Sequence, residues 1–79
     1  MTLPLHRLIV GYGSLLAVAV VRLISDEQWP AVCGMLTPDP DDPDFIYSYK
    51  LDLATARKIL ALIGEKHKRG LEYFLETER

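Results

Sequence analysis

The sequence predicts an α+β fold: a two-layer sandwich, order β-β-α-β-α-β, whose four-stranded, at least partly antiparallel sheet carries two helices on one face. Three observations lead there. Two apolar stretches around a glycine turn signal open the chain, apolar residues recur at helical spacing in two later segments, and two further segments alternate at period two. A chain of 79 residues has room for one core, so 1–79 reads as a single domain whose helices pack together on the sheet.

The hairpin takes Leu5 to Gly11 as one strand and Ser14 to Ile24 as the next, with Tyr12-Gly13 or its neighbours supplying the tight connection. Leu15 to Ile24 is apolar on both faces apart from Arg22, which predicts a central strand covered on both sides. Met1 to Ala19 also resembles a secretory leader, with His6 and Arg7 ahead of the uncharged run Leu8 to Val21. Gly11-Tyr12-Gly13-Ser14 interrupts that run, which is also short of the roughly 20 residues of a membrane span, so the hairpin is the preferred reading.

Ser25 has the chemistry of a helix cap, with Gln28 placed to return the bond. Trp29, Val32, Cys33 and Leu36 then form one stripe, which predicts a helix over Asp26 to Leu36 despite Pro30. Phe45 to Lys50 alternates as a strand, with Phe45, Tyr47 and Tyr49 on one side. Asp52 caps a second helix whose apolar face is Leu53, Ala56, Ile59, Leu60 and Ile63, and Gly64 or Gly70 can end it. Leu71 to Thr77 closes the chain as a strand.

Charge is segregated although the net value is only −2. Between Arg22 and Lys50 there is no lysine or arginine, while Asp26, Glu27, Asp39, Asp41, Asp42 and Asp44 all fall there. The run Pro38-Asp39-Pro40-Asp41-Asp42-Pro43-Asp44 is a stiff loop, because proline fixes φ and removes donors. Asp39, Asp41, Asp42 and Asp44, with Tyr47 and Tyr49 beside them, are therefore the candidate partner-binding residues, an acidic lure for a basic protein surface. A helix-loop-helix calcium site needs glycine sixth and glutamate twelfth, but counting from Asp39 those places hold Asp44 and Lys50.

Nothing else in the chain demands chemistry. Cys33 lies in an apolar stripe, His6 and His67 have no carboxylate or second histidine at ligand spacing, and Gly11-x-Gly13 opens a strand and not a helix. Neither an enzyme, a metal nor a cofactor is expected, and one cysteine fits a reducing, cytoplasmic setting. Arg57, Lys58, Lys66, Lys68 and Arg69 read as solubility charge and give no reason to expect nucleic acid. The sheet face opposite the helices needs cover, which predicts a homodimer. A second reading is a small-molecule binder with an aromatic pocket near Tyr47, Tyr49 and Tyr73, or with a cavity across the dimer seam.

Asp41-Asp42-Pro43, Tyr49-Lys50-Leu51 and Tyr73-Phe74-Leu75-Glu76 resemble the D-D-P, Y-x-L and Y-F-[VL]-E motifs of an uncharacterised family of small bacterial proteins. The likeness covers about the last half of the chain, whereas the front hairpin lacks the charged residues usual there. Some members resemble genes beside toxins, so the resemblance implies an immunity role with a basic toxin as partner.

Overall fold

Residues His6–Tyr12 form strand β1, in which Ile9 and Gly11 turn toward the helices and Val10, between them on the other face, is buried as well. The computed structural model describes residues 5–78; Met1 to Pro4, which begin the leader-like segment, and Arg79 lie outside them. After a single 3-10 turn at Ser14–Leu16 come β2 (Val18–Ile24), α1 (Trp29–Cys33), β3 (Tyr49–Lys50), α2 (Leu53–Leu62) and β4 (Glu72–Glu78). All neighbouring strands are antiparallel, in the spatial order β2-β1-β4-β3. The expected α+β sandwich is thus present. Val32 of α1 and Ala56, Ile59 and Leu60 of α2 meet Ile9, Ile24, Tyr73 and Leu75 in one core, so both helices cover the same sheet face. No helix among the described residues is long and apolar enough to cross a membrane.

Three elements depart from the sequence reading. β2 is an edge strand and not a central one, because β4 pairs along the whole of β1 and occupies its other flank. Val20 and Ile24 are buried on its helix side, while Val21 and Leu23, on the face turned away from the helices, are exposed, as is Val18. The first helix shrinks to Trp29–Cys33: Ser25 and Gln28 exchange the expected reciprocal bonds, but these close a turn ahead of the helix, and Pro30 sits in its first turn. The third strand keeps only Tyr49–Lys50, for a reason that lies in the acidic loop.

The second helix follows its sequence closely. The Asp52 carboxylate accepts the Thr55 N–H at 2.7 Å, which holds the Asp52 carboxyl below the usual range. At the other end Gly64 adopts φ 79°, and the N–H groups of Gly64 and Glu65 return to the Ala61 and Leu60 carbonyls.

Gly11 is buried under the Tyr73 ring. A Cβ there would lie 3.0 Å from Tyr73 Cε1 and 3.2 Å from Leu71 Cδ1. The ring cannot easily retreat, since its hydroxyl accepts the Lys68 N–H at 3.1 Å and His67 packs on it. Gly11→Ala is therefore expected to cost about 1–3 kcal/mol through overpacking, read from the midpoint of urea unfolding. An unchanged midpoint would show that the ring moves freely.

Candidate functional site

The acidic loop is built around one of its own carboxylates. Asp42 is only 4% exposed. Its Oδ1 accepts the Ile46 N–H at 2.7 Å, and its Oδ2 accepts the Tyr47 N–H at 2.9 Å and the Tyr49 hydroxyl at 2.5 Å. These bonds divert the Ile46 and Tyr47 donors from any sheet ladder, which is why the alternating stretch from Phe45 does not become a strand until Tyr49. The loop's backbone turns on itself as well, through Asp42 N–H to the Asp39 carbonyl at 2.9 Å and Phe45 N–H to the Asp42 carbonyl at 3.2 Å. Tyr49 is tied in twice, because its oxygen also accepts the Asp39 N–H at 3.2 Å.

Burial pushes the Asp42 carboxyl up, but the Tyr49 hydroxyl, the two N–H donors and the Arg7 charge outweigh it and hold the group below the usual carboxylate range. Tyr49 moves the other way. Desolvation raises it first, followed by its bond to the Asp42 carboxylate.

A second anchor fixes the far end of the loop. Phe45 adopts φ 55°, and its buried ring packs edge-on to Trp29 at 5.5 Å and tilted against Tyr49 at 5.5 Å. Its carbonyl accepts from Arg7 Nη1 at 2.9 Å and from the Thr77 hydroxyl at 2.6 Å, while Arg7 Nη1 also reaches the Asp44 carbonyl. The Arg7 guanidinium lies 4.5 Å over the Trp29 ring. The sequence reading had Arg7 only as a charge ahead of the leader-like run and Thr77 only as the end of the closing strand. The available signal was a lone cation at the head of an apolar strand.

The six candidate residues therefore divide. Asp39, Asp41 and Asp44 are exposed, as is Tyr47 at 48%, whose hydroxyl donates to Asp41 Oδ2 at 3.3 Å. Asp42 and Tyr49 are turned inward and hold the backbone of Tyr47 and Asp39. Exposed carboxylates beside a half-exposed tyrosine can accept hydrogen bonds and ion pairs from lysine or arginine. Of the aromatics expected at a ligand pocket, Tyr73 is a core residue, Tyr49 is occupied by Asp42 and Tyr47 is exposed. Cys33 is half-buried against the core, and among the described residues no group of three or more His, Cys, Asp or Glu is disposed to hold a metal. Arg57, Lys58, Lys66, Lys68 and Arg69 are all exposed. No protein-family model, curated protein or solved structure matches the chain.

Proposed function

We propose that this chain is a small, non-catalytic protein-binding module of the cytoplasm that offers Asp39, Asp41, Asp44 and Tyr47 to a basic protein surface. A toxin is the partner that the family resemblance implies, with the chain in an immunity-like role. One observation carries the reading: Asp42 spends its charge inside the loop, so the backbone that carries the exposed carboxylates is held in one course before any partner arrives. Preorganisation of this kind reduces the ordering cost that otherwise subtracts from affinity. A second copy of the chain is the other partner, covering the apolar residues that β2 leaves in water.

The test compares the wild type with Asp39→Asn/Asp41→Asn/Asp44→Asn as baits in cell extract. A protein retained by the first and lost by the second is then purified and titrated against both by calorimetry. Affinity should fall as salt rises, and the triple variant should bind about tenfold or more weakly with a flatter salt dependence. Equal affinity for the two chains would remove the loop from the interface.

A further inference from the structure

We infer that two copies of this chain join edge to edge, β2 against β2 in antiparallel sense, so that their sheets become one and the acidic end of each copy lies beside the basic end of the other. The inference rests on the self-association proposed above.

β2 has a strand on one side only, so the backbone groups on its other side have no strand partner among the described residues. Edges of this kind are ordinarily protected by proline, lysine or inward charge. Val18–Ile24 carries none of the first two and a single arginine, and the Arg22 Nε is occupied by the Glu65 carboxylate at 2.8 Å. The side chains along the strand and its approach are apolar and uncovered: Leu15 is fully exposed, and Val21 and Leu23 remain 47% and 59% exposed. A strand that is apolar almost throughout accepts its own sequence reversed.

The direction follows from charge. At the Ile24 end of the hairpin stand Asp26 and Glu27, and the acidic loop is held at that same end, because Arg7, which clamps Asp44 and Phe45, is the β1 partner of Ile24. At the Val18 end stand Lys66, Lys68 and Arg69. They lead into β4, whose first residue, Glu72, flanks Tyr12 opposite Val18, and the Lys68 N–H is bonded to the Tyr73 hydroxyl. A two-fold axis across β2 turns the second copy end for end and sets aspartate and glutamate against lysine and arginine twice over. Parallel pairing would set like against like. Arg22 further excludes the register that places it directly opposite its counterpart.

Sedimentation at low ionic strength should give twice the chain mass for the wild type, and the chain mass for Val21→Lys, whose side chain leaves the core untouched. Two charge-reversed chains decide the geometry: Lys66→Glu/Lys68→Glu/Arg69→Glu, and Asp26→Lys/Glu27→Lys/Asp41→Lys. Each alone should associate about tenfold or more weakly than the wild type, and an equimolar mixture should recover a one-to-one complex. Self-association of either reversed chain at wild-type strength, or a mixture that stays monomeric, would overturn the end-to-end arrangement and favour face-to-face packing of the sheets. A monomeric wild type would overturn self-association itself while leaving the acidic-loop reading intact.

Discussion

Asp42→Asn is expected to lower the melting temperature by on the order of 10 °C and to release the acidic loop. The carboxylate satisfies three donors from a site that water scarcely reaches. Asparagine keeps one oxygen and turns an NH2 group toward N–H donors, so at least one of the Ile46, Tyr47 and Tyr49 groups is orphaned in the interior. Differential scanning calorimetry measures the loss, and hydrogen exchange at Ile46 and Tyr47 locates it. Fast exchange confined to those two amides would confirm the mechanism, whereas unaltered protection would refute it. The same group sets an acid limit. Because the folded-state carboxyl titrates below its unfolded value, its contribution is complete at pH values above the unfolded carboxylate range and disappears as pH falls through the lowered folded value. The wild type should lose stability over that acid window, and Asp42→Asn should lose correspondingly less.

Phe45→Ala is expected to cost about 3–5 kcal/mol, the usual penalty for emptying an aromatic site in a core. The ring is enclosed by Trp29 and Tyr49, and its removal also loosens the stack in which Arg7 lies over Trp29. The backbone adds a sharper test. At φ 55° a side chain bearing Cβ is strained and glycine is not, so Phe45→Gly should be more stable than Phe45→Ala by about 1 kcal/mol. At most buried positions that order is reversed. Urea unfolding of the two variants side by side decides it, and an alanine variant equal to or better than glycine would show that the residue relaxes out of the left-handed region once the ring is gone.

Particular residues explain how far the sequence could be read. The order of elements was legible because period-two and helical patterns each report one buried face, and α2 was legible at both ends through Asp52 and Gly64. β2 was misplaced because an apolar run on both faces is the pattern of a covered central strand, and pairing partners are not encoded in the run itself. Within the candidate site, the acidic residues were visible by composition and their division of labour was not. Asp41 and Asp42 are neighbours of the same type, yet one faces solvent and the other accepts three internal bonds. That difference arises from the turn at Phe45, which depends on Arg7 and Thr77 from opposite ends of the chain. Local sequence cannot report such a clamp.

The seam between β1 and β4 joins segments that almost the whole chain separates. β4 is the last described element in chain order, and without it β1 has one unpaired flank. Pairing of such distant segments makes folding slow and leaves the vacant flank open to the β4 of a neighbouring molecule. A chain that lacks β4 would leave that flank of β1 unpaired, the kind of bare edge that invites pairing with another chain.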